Sequence, residues 1–80
     1  MMKTIKQADL TFQEGTSNKE YHAQVVQVAK DNYVVNFQYG RIGNTLQTGT
    51  KTPTAVSLTE ANDVFDDLVA SKEKKGYVRQ

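Results

Sequence analysis

The sequence predicts an α+β fold in which an antiparallel β-sheet of about four strands is covered on one face by one amphipathic α-helix. Up to about residue 54 of the 80, apolar and polar side chains alternate with the period of half-buried strands. From residue 61, apolar residues recur every three or four positions, as on one face of a helix. A sheet and a single helix hide their apolar faces only against each other. We therefore expect one domain over residues 1–80, with its core between about residues 8 and 78.

Two strands are expected in the first 30 residues. The first runs from Ala8 to Gln13 with strict alternation and is followed by a glycine-containing turn. The second runs from about Lys19 to Ala29. The apolar residues change from one face of this strand to the other between Val25 and Val26, which indicates either a β-bulge or burial on both faces of the sheet.

A tight turn at Lys30–Asn32 leads into the clearest strand, Tyr33–Tyr39. Asp and Asn tolerate the left-handed backbone that such a turn requires. A threonine-rich segment, Thr45–Thr54, predicts a fourth strand. Pro53 donates no ladder hydrogen bond, so this strand is expected at a sheet edge and to end near Pro53.

The helix is expected to begin after Val56. Ser57 and Glu60 have the spacing of a capping box, and Gly76 is a suitable residue to end the helix. The apolar positions of the helix are Ala61, Val64, Phe65, Leu68 and Val69. Alternation in the strands and helical periodicity together predict a core made of Leu10, Phe12, Val35, Phe37, Phe65 and Leu68.

Composition excludes several classes of protein. Ten Lys and Arg against nine Asp and Glu give a net charge of +1, which argues against strong binding to intact duplex DNA. Cysteine is absent, which excludes disulfides, thiolate metal sites and cysteine nucleophiles. No apolar run approaches the length of a membrane span, so we expect a soluble, cytoplasmic protein without membrane contact.

The residues available for catalysis are few. His22 is the one histidine, and its place in the second strand favours a partly exposed structural residue over a general base. Asp63, Asp66 and Asp67 share one side of the helix, opposite its apolar side, which favours a solvated acidic surface over a metal site. These observations predict a protein that is not an enzyme and that binds no metal or small-molecule cofactor.

The segment from Tyr39 to Gly43 carries chemistry suited to nucleic acid. An aromatic ring offers a stacking surface, Gly40 lets the backbone approach a ligand, and Arg41 can grip a phosphate with two parallel hydrogen bonds. The dinucleotide-binding fingerprint does not fit, because no third glycine opens a helix.

Several short strings, taken in order and spacing, resemble a known family. They are Leu10-x-Phe12, Ser17-Asn18-Lys19-Glu20-Tyr21, Phe37-Gln38-Tyr39-Gly40-Arg41-Ile42-Gly43, Ala61 with Phe65, and Lys74-Lys75-Gly76-Tyr77. The chain resembles the WGR domain, best known as a DNA-sensing module of poly(ADP-ribose) polymerases and also found in bacterial proteins. The resemblance covers most of the chain, which contains neither a zinc finger nor an ADP-ribosyltransferase domain.

The resemblance implies a set of binding residues. In the family, the aromatic residue of the namesake tripeptide stacks on a terminal sugar at a DNA break. The arginine two positions later, and an Asn-Lys pair that opens the second strand, act near phosphates and neighbouring domains. On this sequence those roles fall to Tyr39, Arg41, Asn18 and Lys19. Tyr39 replaces the family's tryptophan and has a smaller ring, and Leu46 stands near where many members have another glycine.

We therefore expect a non-enzymatic nucleic-acid-binding module that recognises a DNA end or nick through the Tyr39-Gly40-Arg41 loop with Asn18 and Lys19. Few basic residues converge on this loop, with Arg41, Lys19 and Lys51 as the candidates for phosphate contacts. The alternative is a protein-interaction module that uses the same loop, in which Arg41 pairs with a carboxylate of a protein partner and Tyr39 fills a pocket on it.

Overall fold

The computed structural model describes residues 2–80, which form an antiparallel five-stranded sheet and one helix. The elements in chain order are β1 (Lys3–Glu14), β2 (Ser17–Ala29), β3 (Asn32–Arg41), β4 (Gln47–Thr50), α1 (Leu58–Lys74) and β5 (Val78–Arg79). The spatial order of the strands is β4-β3-β2-β1-β5. The predicted α+β class is confirmed, with one strand more than expected.

β1 is longer than its alternation predicts, because it begins at Lys3 rather than at Ala8. Its register against β2 shifts between Thr4 and Lys6. The extra residue at this irregularity, Ile5, reverses the parity of the strand. The residues of β1 before Ile5 and those after it therefore do not follow one continuous alternation of apolar and polar side chains.

The parity change in β2 comes from burial on both faces of the sheet. Val25 and Val26 are both buried, and each is paired in register with a valine of β3. The shift in the β2–β3 register lies further on, between Gln27 and Ala29. In the turn that follows, Asp31 has a φ of 59°, the left-handed backbone expected for this position.

Of the two edge strands, β4 was predicted from the sequence and β5 was not. β4 lies at the sheet edge and ends before Pro53, as predicted, although it is shorter than Thr45–Thr54. β5 was not predicted, because two residues are too few to show alternation. Its register with β1 pairs Leu10 with Arg79.

The helix begins and ends at the predicted signals. The Ser57 hydroxyl accepts a hydrogen bond from the Glu60 N–H at 3.2 Å, which satisfies one free donor of the first turn. At the other end, Gly76 has a φ of 104°. The Gly76 and Tyr77 N–H groups donate to the Glu73 and Lys72 carbonyls, which is the hydrogen-bond pattern of a Schellman cap. Within residues 2–80 no helix is both long and apolar enough to cross a membrane.

The core lies between α1 and the middle of the sheet. Its buried residues are Ala8, Leu10, Tyr21, Ala23, Val25, Val35, Ala61, Phe65, Leu68 and Val69. Phe12 and Phe37 were predicted as core but are only half-buried. At about 1.5 Å per residue the 17-residue helix spans about 25 Å, whereas the molecule is 44 Å long, so α1 leaves part of the sheet uncovered.

Candidate nucleic-acid interface

Near the end of α1, the helix side of the sheet carries a cluster of aromatic rings. The aromatic cluster consists of Phe12, Tyr21, Phe37, Tyr39 and Tyr77. Tyr21 lies at its centre, with ring centroids 5.7 Å from Phe37, 6.1 Å from Tyr39 and 6.2 Å from Tyr77. Burial and the neighbouring tyrosines raise the pKa of Tyr21 to about 12, so its hydroxyl is neutral at physiological pH.

Three lysines lie over rings of the aromatic cluster. The Nζ atom of Lys72 is 4.6 Å from the Tyr21 centroid, that of Lys51 is 5.4 Å from Phe37, and that of Lys19 is 5.9 Å from Phe12. Among residues 2–80 none of these lysines forms an ion pair with a carboxylate. Their positive charge is therefore available to an anionic ligand.

Tyr39 is held at the edge of the aromatic cluster. Its side chain is 39% exposed, and its hydroxyl donates a hydrogen bond to the Gln47 Oε1 atom of β4 at 3.1 Å. The hydroxyl thus sets the ring's orientation while one side packs near Tyr21. Tyr39 combines a fixed position with a surface that a ligand can reach.

Arg41 lies next to Tyr39 and opposite Lys19 in the β2–β3 register. Directly opposed residues of an antiparallel pair share one face of the sheet. One Nη atom of Arg41 donates to the Thr16 carbonyl at 3.0 Å, which holds the guanidinium beside the β1–β2 turn. A guanidinium has five N–H donors, so most remain for a phosphate or carboxylate of a ligand.

These side chains surround a surface pocket of about 280 Å³, here named the Tyr39 pocket. It is lined by Lys19, Tyr39, Gly40, Arg41 and Tyr77. The pocket thus brings together four of the five site residues expected from the sequence, Lys19 and the Tyr39-Gly40-Arg41 segment.

Asn18 does not line the Tyr39 pocket. Successive residues of a strand point to opposite faces, so the side chain of Asn18 lies on the face opposite to that of Lys19. Its carbonyl accepts a hydrogen bond from the Ile42 N–H at 2.9 Å and so ties the start of β2 to the end of β3.

Gly40 and Leu46 pack closely. A Cβ atom at position 40 would lie 3.3 Å from the Leu46 Cδ2 atom, so a side chain there would displace this leucine. Leu46 therefore occupies the space beside the end of β3.

Tyr21, Lys72 and Tyr77 belong to this surface, although no sequence pattern connects them with the Tyr39-Gly40-Arg41 segment. Tyr77 reaches the sheet because the Schellman cap at Gly76 reverses the chain after α1. Lysines at a helix end such as Lys72 are explained first by the helix dipole and only second as a phosphate-binding patch. Tyr21 appeared in the sequence only within a string that carries the family resemblance. No local pattern links three residues that come from separate elements.

The opposite face of the sheet carries His22 between two carboxylates. Its Nδ1 atom is 2.7 Å from Asp9 Oδ1 and its Nε2 atom is 2.6 Å from Glu20 Oε1. Burial alone would lower the pKa of His22, but the hydrogen bonds and charges of the two carboxylates outweigh it and raise that pKa. His22 is therefore half-buried and hydrogen-bonded at both ring nitrogens, an environment that favours the structural interpretation of this residue.

The acidic side of α1 has no arrangement suited to a metal ion. Asp66 accepts a contact from the Lys6 Nζ atom at 3.4 Å, and Asp63 and Asp67 are exposed. Residues 2–80 contain no group of three or more His, Asp or Glu side chains that could hold a metal ion.

Within residues 2–80, an exposed aromatic ring, an arginine and lysines that lack acidic partners lie together on one surface of the protein. A family model described as WGR domain matches residues 4–80. The chain belongs to the WGR domain family, whose members are nucleic-acid-binding modules. Neither a search of curated proteins nor one of solved structures found a match.

Proposed function

We propose that this WGR domain is a non-enzymatic module that binds DNA at an end or nick, with the terminal nucleotide in the Tyr39 pocket. The observation that carries the proposal is the composition of this pocket, in which an exposed ring lies beside Arg41 and Lys19. A ring stacks on a sugar or base only where the DNA stack is interrupted, and the two cations suit a terminal phosphate. Asn18 acts in this proposal by fixing the strand ends around the pocket.

A closed DNA substrate provides the sharpest test. A sealed dumbbell duplex has no end, and the same dumbbell with one 5′-phosphorylated nick has a single interruption of identical sequence. We expect fluorescence anisotropy to show tighter binding to the nicked dumbbell. Arg41→Ala should weaken that binding and leave the thermal transition unchanged, because the guanidinium is exposed and bonds only one carbonyl.

Lys30→Ala is the matched control, because it removes a positive charge at the β2–β3 turn, the end of β2 away from the Tyr39 pocket. Equal affinity of the wild-type protein for the nicked and sealed dumbbells would contradict the proposal. Absence of binding to both at low salt would favour the protein-interaction alternative.

The salt dependence should be modest, because three basic residues lie at or near the Tyr39 pocket. If Arg41, Lys19 and Lys51 neutralise about three phosphates, the slope of log affinity against log salt is roughly −2.7. Raising the salt concentration fourfold should then weaken binding about forty-fold. A much steeper slope would indicate a general duplex binder with many phosphate contacts.

A further inference from the structure

A second surface pocket adjoins the Tyr39 pocket and shares two of its walls. This lysine pocket has a volume of about 290 Å³ and is lined by Phe12, Lys19, Lys72, Lys75 and Tyr77. Lys19 and Tyr77 also line the Tyr39 pocket, so the two depressions lie side by side along the aromatic cluster. Their similar volumes suit repeating units of one extended ligand.

The lysine pocket combines aromatic rings with positive charges, which suits an anion that carries an unpaired nucleobase. Phe12 and Tyr77 lie with ring centroids 5.5 Å apart and form an aromatic wall. Lys72 is partly buried, and burial together with the charges of Lys75 and Lys51 lowers its pKa. Mutual repulsion of this kind is relieved when a phosphate binds between the cations.

We infer that the lysine pocket binds the second nucleotide of a single-stranded tail whose terminal nucleotide occupies the Tyr39 pocket. The inference rests on the proposed function and specifies its ligand as an end that carries an unpaired strand. Bases stack on protein rings only when they are free of pairing in a duplex. Lys19 and Lys72 have flexible stems, so each can leave the ring that it covers and contact a phosphate while a base takes its place.

The test compares two versions of a hairpin duplex, which a loop closes at one end and which is open at the other. One version ends in a flush, 5′-phosphorylated pair, and the other carries a short 5′-phosphorylated thymidine tail. At a slope of about −0.7 per phosphate of a single strand, two further contacts predict roughly 25-fold tighter binding of the tailed end at 0.1 M salt. The salt slope for the tailed end should be steeper by about 1.4.

A double variant, Lys72→Gln with Lys75→Gln, should remove most of this advantage, because it should weaken binding of the tailed end far more than binding of the flush end. The matched control, Lys3→Gln with Lys30→Gln, makes the same change of charge at residues that line neither pocket and should preserve the advantage. Thermal melts of both variants verify that each is folded.

Three outcomes separate the inference from the proposed function. Equal affinity of the wild-type protein for the tailed and flush ends would overturn the inference, and would leave the proposed function standing if both bind better than a sealed dumbbell. Equal losses on the two ends in the Lys72→Gln, Lys75→Gln variant would also overturn it. Flush-end binding no tighter than that of the sealed dumbbell would overturn the proposed function itself.

Discussion

Tyr39 illustrates how a single polar atom can hold an aromatic ring at the protein surface. Its ring is part of the aromatic cluster, yet its hydroxyl is bonded to Gln47 on the edge strand. The phenol therefore has one end in an apolar environment and one end tied to a polar side chain, an arrangement typical of tyrosine at interfaces.

We expect Tyr39→Ala to destabilise the domain much less than Phe65→Ala, because Tyr39 is 39% exposed whereas Phe65 is 1% exposed. The same substitution should abolish the preference for a nick. Tyr39→Phe keeps the ring and removes the bond to Gln47, so it should reduce nick affinity by an intermediate amount. Thermal melts and anisotropy on the three variants check these expectations. Equal destabilisation by Tyr39→Ala and Phe65→Ala would show that Tyr39 is a core residue.

His22 is the other residue whose chemistry its surroundings define. A neutral imidazole has one N–H donor, so it can donate to Asp9 or to Glu20 but not to both. The doubly protonated ring satisfies both carboxylates. The folded state therefore favours protonated His22, in agreement with the raised direction of its pKa.

This raised pKa predicts the sign of the pH dependence of stability. The contribution of His22 is fully present below its unfolded pKa of about 6.5 and is lost as the pH rises through its higher folded pKa. The pKa of Asp9 is lowered, by its hydrogen bond to Gln7 and then by that to His22, so its contribution is lost only in acid. We expect thermal melts to show decreasing stability as the pH rises above about 6.5. His22→Gln should flatten this decrease, and an unchanged profile in that variant would assign it to other groups.

At the scale of elements, α1 stabilises the sheet through a few fully buried side chains. Phe65 is the largest of them and packs in the cluster that contains Leu10 and Val35. We expect Phe65→Ala to cost about 3 to 5 kcal/mol, a large share of the stability of so small a domain. Leu58→Ala, at an exposed position of the same helix, is the control. A Phe65→Ala melting curve close to that of the wild-type protein would contradict the assigned core.

The elements that sequence reasoning predicted are those with a long local pattern. The helix has five apolar positions at regular spacing and a cap at each end, and β3 alternates over most of its length. β5 is two residues long and pairs with a strand almost seventy residues earlier in the chain. No local sequence pattern therefore predicts it. Phe12 and Phe37 lie on the core-facing side of their strands. Alternation along a strand does not show which part of that side the helix covers, so it did not reveal that these two rings are only half-buried.

At the scale of the whole molecule, the sheet separates two surfaces of different charge. The helix side carries the aromatic cluster and its lysines. In the centre of the other side, the residues placed there by register include Gln7, Asp9, Glu20, His22, Gln24, Asn36 and Gln38, with no Lys or Arg among them. A net charge of +1 therefore does not reveal the group of lysines beside the aromatic cluster, because only the fold brings them together.

Part of the candidate site lies in short strings of the sequence, and part of it is assembled only by the fold. The Tyr39-Gly40-Arg41 segment and Lys19 belong to recognisable strings, and the structure brings them around one pocket. Lys72 and Tyr77 come from the end of α1 and the segment after it. Their place beside β2 depends on the angle at which the Schellman cap returns the chain to the sheet.

The aromatic cluster also gives the protein an intrinsic tyrosine fluorescence signal that can report ligand binding. The chain has four tyrosines and no tryptophan. Tyr21, Tyr39 and Tyr77 lie close enough to exchange excitation energy, so their ultraviolet emission behaves as one signal. Tyr33 is outside the cluster, where its backbone pairs with Val56, and supplies a background that a ligand in the Tyr39 pocket leaves unchanged. A nucleobase stacked on one ring of the cluster should therefore quench three of the four emitters together, and a titration needs no dye.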